Sequence, residues 1–385
     1  MPYRIYISAG EASGDMHGGG LAGALRGAFP DLVISGMGGD RMRSAGVEVI
    51  EDYRQYAIMG FVGVIANLHR FSRLLKRVVK HIREERVNLV VLIDYSGFNL
   101  RLARAANRLG VKVVYFISPQ VWAWRTGRVK DIKRYVDRMI TIFPFEKEFY
   151  RRYGIDADYI GHPLLDEIPS LDEEQRKAEV QRFRLAHQIN GKSPILGLFP
   201  GSRAKEIEKM LPTMLCTAAM LRRDIPTLNI LIARAPNIDL GRHMSLAEFG
   251  WIQSLVVDND TAGVLLASDA VLVSSGTTTV EAALHGTPQV VMYKTSWLTY
   301  RIARACVKVD YIAMVNLIAA KRIVPEFIQD EAQPERLRDE LYPLLTDNGA
   351  RRAARQASLE IRKLLGEKGA YQRAADIAAH YIGNC

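Results

Sequence analysis

Short runs rich in β-branched and aromatic residues alternate with helix-patterned stretches along nearly the whole chain, which restricts it to βαβ units built on parallel sheets. In the first half the runs are RIYIS (4–8), LVIS (32–35), NLVVLID (88–94), KVVYFIS (112–118), RMITIF (138–143) and DYIGH (158–162). The alternation then stops at PSLDEEQRKAEVQRFRLAHQINGK (169–192), a charged stretch with no strand signal. It restarts with PILGLFP (194–200), LNILIAR (228–234), SLVVDN (254–259), AVLVSS (270–275) and PQVVMY (288–293); beyond about residue 331 only helical pattern remains. A chain of 385 residues is also longer than one core usually supports. The expectation is therefore α/β: two Rossmann-like, doubly wound domains at 1–168 and 193–345, a charged linker at 169–192, and C-terminal helices at 346–385.

The hydrophobic share of 48% and charged share of 24% are those of an ordinary globular protein. No secretory h-region opens the chain, and the longest apolar run, 56–68, falls short of the roughly 20 residues that span a bilayer. The cysteines, Cys216, Cys306 and Cys385, are too far apart for a CxxC site or a disulfide framework, which fits a reducing cytoplasm. A net charge of +10 attracts phosphate-bearing partners. Seven of the cations (Arg70, Arg73, Lys76, Arg77, Lys80, Arg83, Arg86) lie in 69–86. Ile65, Leu68, Ser72, Leu75, Val79 and Ile82 fall at helical steps, with the cations largely opposite. Alone this is an amphipathic helix with a solvated face. Joined to Met59, Phe61, Val62, Val64 and Ile65 around Gly60 and Gly63, it has what an interfacial membrane contact requires.

Three turns carry candidate chemistry. SAGEASGDMHGGG follows the first strand and sets Gly10, Glu11, Ser13, Gly14, Asp15 and His17 at a helix start, where unpaired N–H groups favour a phosphate. Its spacing is not GxGxxG, and tight strand-to-helix packing explains the glycines nearly as well. Asp94 closes the third strand, at the strand ends where α/β proteins bind ligands; it is either a cap or a catalytic acid. PGSR (200–203) places Gly201 and Ser202 at another helix start beside Arg203, whose guanidinium either faces solvent or binds a departing diphosphate. SSGTTTVEAAL (274–284) repeats the pattern with Ser275, Gly276, Thr277 and Thr278, and adds Glu281 in an otherwise apolar helix, where it needs a partner. The strings Asp156-Ala157-Asp158 and Asp258-Asn259-Asp260 are discounted as metal sites, the second because Asp260 or Thr261 reads as a helix cap. No metal or other cofactor is expected. Trp122 and Trp124 read as core or cleft residues, and no nucleic-acid module is present.

Taken whole, GEASGD resembles the N-terminal signature of lipid-A-disaccharide synthases. Further segments follow in order: Gly36, Gly38 and Gly39; Ile58-Met59-Gly60; SPQVWAWR (118–125); FPFEKEFY (143–150); IGHP (160–163); PGSR; SSGTTTVEAAL; and DYIAMVNLIA (310–319). The resemblance spans the full length. It implies a GT-B fold with its active site in the interdomain cleft, and inverting transfer from UDP-2,3-diacylglucosamine to 2,3-diacylglucosamine 1-phosphate. The products would be a β-1,6-linked disaccharide 1-phosphate and UDP. It further implies Asp94 as base, ahead of Glu11, Asp15 and His17, with Arg203 assisting and Glu11 also at the catalytic centre. Substrate contacts would come from Gly10, Ser13, Gly14, Asp15, His17, Met59, Asn99, Trp124 and Asn316. Gly201, Ser202, Arg203, Ser275, Gly276, Thr277, Thr278 and Glu281 would hold UDP. Gly97 stands where the family's IDxPDFN-type motif carries a second aspartate, so that carboxylate is dispensable or replaced here. The implied location is cytoplasmic, peripheral to the anionic inner membrane, and a homodimer is compatible with the sequence. The rivals are another UDP-sugar GT-B enzyme, an epimerase or a peptidoglycan-type glucosaminyltransferase, and a non-catalytic nucleotide or nucleic-acid binder; neither enzyme accounts as well for the basic, apolar 56–86 element.

Overall fold

A computed structural model describes residues 2–57, 68–123, 126–189, 191–235, 240, 254–297, 300, 301, 304 and 309–382. The chain folds as two compact units, Met1–Glu167 with Leu365–Cys385, and Ile168–Leu364.

Unit 1 is built on a parallel sheet of order β3-β2-β1-β4-β5-β6-β7. Its strands are β1 Arg4–Ala9, β2 Val33–Gly38, β3 Glu48–Asp52, β4 Leu89–Ile93, β5 Lys112–Phe116, β6 Arg138–Thr141 and β7 Ala157–Tyr159. β1 and β4 lie side by side at the centre, Ile7 opposite Val91 and Ala9 opposite Ile93. Every residue of β4 is buried, as a continuous apolar run inside a parallel sheet demands. Strand order reverses at the β1/β4 pair, the point at which open α/β sheets leave a crevice beyond their strand ends.

The Leu68–Glu84 helix packs on this sheet through Leu74, Val78 and Ile82, with Phe71, Leu75 and Val79 flanking. Ser72, expected on the inner face, is exposed, so the packed stripe is centred on the 74/78/82 ridge and not on 72/75/79. All seven cations between Arg70 and Arg86 are exposed. Arg77 reaches across to β3 and its neighbour, its guanidinium on Glu51 (2.6 Å) and the Tyr56 hydroxyl (2.8 Å), while Lys80 pairs with Glu84 within the helix (3.7 Å).

Unit 2 repeats the plan in the order β10-β9-β8-β11-β12-β13. Here β8 is Ile195–Phe199, β9 Asn229–Arg234, β10 Ser254–Asp258, β11 Ala270–Ser274, β12 Gln289–Tyr293 and β13 Glu326–Ile328. Its reversal falls at β8/β11, Val271 opposite Gly197. The Ala204–Asp224 helix buries Ile207, Met210, Leu211, Met214, Ala218 and Leu221 against Leu196, Leu198, Ile230 and Leu272.

The charged 169–192 stretch is no linker over most of its length. Asp172 accepts from the N–H groups of Glu174 and Gln175, and that cap opens a helix, Glu173–Ala186, belonging to unit 2. Nor do the last residues form a separate group: the Pro334–Thr346 and Asn348–Leu364 helices belong to unit 2, and the Ala370–Ala379 helix to unit 1. Asp166 caps this last helix through the N–H groups of Gly369 (2.5 Å) and Tyr371 (3.0 Å). The Tyr371 ring fills the space beside Gly20, where an added Cβ would lie 2.4 Å from Cζ.

Candidate active site

In unit 1, Gly10 and Glu11 leave β1 and the Ala12–Ala28 helix begins at once. The glycines here serve packing. A Cβ on Gly10 would stand 2.2 Å from Tyr95 Cδ1, and one on Gly14 would press the Ala9 side chain at 3.3 Å. Ser13 and Glu11 are half-buried, and the charge on Glu11, together with burial as the larger cause, pushes the Tyr95 phenol up to about 12. Asp15 is spent on the fold. Its carboxylate accepts from the N–H groups of Gly39 (2.6 Å), Arg41 (3.1 Å) and Met42 (3.1 Å), capping the Asp40–Ser44 helix. His17 is likewise buried, with Nδ1 3.0 Å from the Tyr371 hydroxyl; burial holds it down to about 4, so it is neutral near pH 7. His162 lies 6.5 Å away, ring to ring, and is held at about 3 by burial and by His17.

Asp94 follows β4 and stands half-buried at the β1/β4 reversal, beside the Gly10–Glu11 turn. Asp94 and Tyr95 both take positive φ, +41° and +44°, before the Ser96–Arg108 helix. Asn99, expected to touch substrate, is fully buried: its amide donates to the carbonyls of Ile93 (3.0 Å) and Asp94 (2.9 Å), and its oxygen accepts from Ser8 Oγ (2.7 Å). Arg128 brings a cation to the same turn by donating to Ser96 Oγ (2.7 Å). The two aromatic motifs meet where Trp122 Nε1 donates to Glu146 (3.1 Å), whose other oxygen accepts from Ile142 N and Phe143 N. Burial, only partly offset by these bonds, pushes the Glu146 carboxyl up to about 7. Met59 and Trp124, and the 58–67 part of the apolar patch, lie outside the described residues.

In unit 2 the two remaining turns meet at the β8/β11 reversal. Gly201 has φ +109°, and an added Cβ would sit 3.5 Å from Ser274 Oγ and 2.9 Å from Glu206 Oε2. Arg203 caps the Ala204–Asp224 helix with its side chain 55% exposed, Nη1 resting 3.0 Å from Glu206 Oε1; Ser202 is exposed beside it. Gly276, Thr277 and Thr278 open the Thr277–Leu284 helix with Gly276 and Thr277 exposed. Ser275 Oγ donates to Ile312 O (2.9 Å), drawing the 310–319 motif to this turn. The Glu281 carboxyl group has no hydrogen-bond or ion-pair partner among the described residues, and burial pushes it up to about 7.

Asn316 is fully buried and donates to Val324 O (3.0 Å) while accepting from Ile323 N (2.8 Å) and Val324 N (3.0 Å), so it shapes the 310–324 loop. Both DxD strings are also occupied: Asp156 and Asp158 pair with Arg138, Asp258 with Arg234, and Asp260 caps its helix through Gly263 N (2.8 Å). Among the described residues no group of three or more potential ligands is placed to hold a metal.

Several supporting residues escaped the sequence reading: Ser8, Tyr115, Glu146, Glu326 and Tyr371. Ser8 and Tyr115 had a signal, being polar groups in the buried parts of their strands, where each needs a partner. Glu326 accepts from the N–H groups of Ile312 and Ala313 and had none beyond a lone acid.

The family model described as lipid-A-disaccharide synthetase matches residues 5–381. This chain belongs to the lipid-A-disaccharide synthase family. It is 41% identical to the lipid-A-disaccharide synthase of Myxococcus xanthus over 97% of this chain and 96% of that one. It is 40% identical to the synthase of Geobacter sulfurreducens, over 99% and 98%. Among solved structures it resembles a putative UDP-N-acetylglucosamine 2-epimerase from Listeria monocytogenes, with TM-score 0.68, 14% identity and coverage of 99% and 97%. It also resembles a UDP-GlcNAc 2-epimerase from Neisseria meningitidis bound to UDP-GlcNAc, at 0.65, 10% and 98% of each chain. At these identities the likeness speaks to the fold, which is GT-B. The family assignment separates the chain from the epimerases and from a non-catalytic binder: as a lipid-A-disaccharide synthase family member it is a UDP-sugar glycosyltransferase acting on a sugar-phosphate acceptor.

Proposed function

We propose that the chain transfers 2,3-diacylglucosamine from its UDP derivative to 2,3-diacylglucosamine 1-phosphate, with inversion. The acceptor 6-hydroxyl oxygen bonds to the anomeric carbon of the donor, the bond to UDP breaks, and Asp94 takes the hydroxyl proton. No covalent enzyme intermediate is needed. The placement of Asp94 carries this reading: a half-buried acid at the C-terminal end of a central strand, at the sheet's topological reversal. Arg203 and the N–H groups of the 201–203 and 275–278 turns balance the charge of the departing diphosphate. Glu281, unpartnered in the described structure, accepts the ribose hydroxyls. The acyl chains keep both substrates in lipid, and the outward cations of the Leu68–Glu84 helix suit a peripheral contact with the cytoplasmic face of the inner membrane.

The test is UDP release from the acylated pair by purified protein. Wild type should turn over, and Asp94→Asn should lose roughly two orders of magnitude or more in kcat with UDP affinity unchanged. Near-normal kcat in the variant at saturating substrate would remove Asp94 as the base.

A further inference from the structure

We propose that Tyr115 and Asn99 are positioning residues that hold the Asp94 carboxylate in its working direction by gripping the Asp94 main chain. The inference rests on the reading of Asp94 as the base. Two consecutive residues, neither of them glycine, take left-handed φ at Asp94 and Tyr95, a conformation that L side chains resist and that persists where the surroundings enforce it.

The surroundings that enforce it are specific. The Asp94 carbonyl accepts two hydrogen bonds, from Tyr115 Oη at 2.5 Å and Asn99 Nδ2 at 2.9 Å. The Asp94 N–H donates to Ile117 O at 3.2 Å, so β5 and the residue that follows it hold Asp94 through both its N–H and its carbonyl. Tyr115 and Asn99 are fully buried, and Ser8 Oγ donates to Asn99 Oδ1 at 2.7 Å, which turns the amide's N–H groups toward the carbonyls of Ile93 and Asp94. Burial raises the Tyr115 phenol well above its ordinary range, so it remains a donor at every working pH. Apolar packing alone would not require these groups: Phe at 115 would fill the same space, and its ring would leave the carbonyl with one donor fewer. A base must meet the acceptor hydroxyl within hydrogen-bond reach, and a displacement of about 1 Å costs up to about a hundredfold in rate.

Tyr115→Phe removes the hydroxyl and keeps the ring. We expect kcat to fall about tenfold to a hundredfold, with KM for both substrates and UDP affinity unchanged. Ser8→Ala, a milder change that frees the Asn99 amide, should give a smaller loss of the same kind and guards against a folding defect. In an Asp94→Asn background Tyr115→Phe should cost nothing further, because it acts through the missing base; a merely structural defect would lower both backgrounds equally. Wild-type kcat in both Tyr115→Phe and Ser8→Ala, with Asp94→Asn inactive, overturns the positioning role alone. A full second loss on top of Asp94→Asn does the same. Full turnover by Asp94→Asn itself overturns the reading of the base and the positioning with it.

Discussion

A half-buried carboxyl group without a partner among the described residues is the most informative single residue in unit 2. Glu281 is pushed up to about 7 by burial, whereas an unfolded glutamate titrates near about 4.3. The folded chain therefore keeps a proton that the unfolded chain has already released, so this group's contribution to stability falls as pH climbs from about 4 to about 7 and stays low above that. Glu281→Gln carries no such dependence. Its melting temperature relative to wild type should rise by roughly 2–4 °C between pH 5 and pH 8 in the absence of nucleotide, as calorimetry would read. With UDP at pH 8 the order inverts in binding: the ribose hydroxyls lose a charged acceptor, and affinity should drop about tenfold. A variant whose melting temperature parallels wild type at every pH would show that burial at 281 is not felt by the charge. Residues of this kind also mark what a sequence hides. Asp15, Asn99 and Asn316 stand in or beside the candidate turns, yet their polar atoms are consumed within the fold, by backbone groups and, for the Asn99 oxygen, by Ser8. A side chain that caps a helix and one that grips a ligand are written with the same letters.

Among the elements, the central strands were legible because a parallel strand buried on both faces is apolar throughout, as β4 and β8 are. The edge strands β3 and β13 were not. Glu-Val-Ile-Glu-Asp is acidic and half-buried, and β13 has only three residues, so neither offers the apolar run that marks a core strand. The Leu68–Glu84 helix was legible as a helix but not in rotation, since apolar residues at 71, 75, 79 and 82 and at 74 and 78 form adjoining ridges and only packing selects between them. The outward face is nonetheless cationic. Arg73→Glu, Lys76→Glu and Arg83→Glu together should weaken sedimentation with anionic vesicles on the order of a hundredfold, at about 1 kcal/mol per cation, and leave UDP affinity unchanged. Arg77 is excluded because its bonds to Glu51 and Tyr56 fix the helix to β3. Equal sedimentation of variant and wild type would assign this face to solvent.

On the scale of the whole molecule, unit 1 is discontinuous: Leu365–Cys385 completes it after all of unit 2 has intervened. Ala370, Tyr371, Ala374, Ala375 and Ala378 are buried there, and Tyr371 occupies the notch at Gly20 in the helix that follows the first site turn. Ending the chain at Leu364 should lower the melting of unit 1 by roughly 10 °C or more, at about 2–4 °C per kcal/mol of lost burial, while UDP binding by unit 2 stays within about threefold. Coincident loss of both would mean that the units do not fold separately. The same discontinuity sets an order of events during synthesis. Unit 2 is one uninterrupted stretch and needs nothing outside itself to close, but the half bearing Asp94 waits for the final segment, however early its own strands were made. Until it arrives, the flank of the Ala12–Ala28 helix that it covers is a vulnerable surface for proteases and holdase chaperones, and a message cut short by the 21 codons of Leu365–Cys385 yields a whole unit 2 beside an unfinished unit 1.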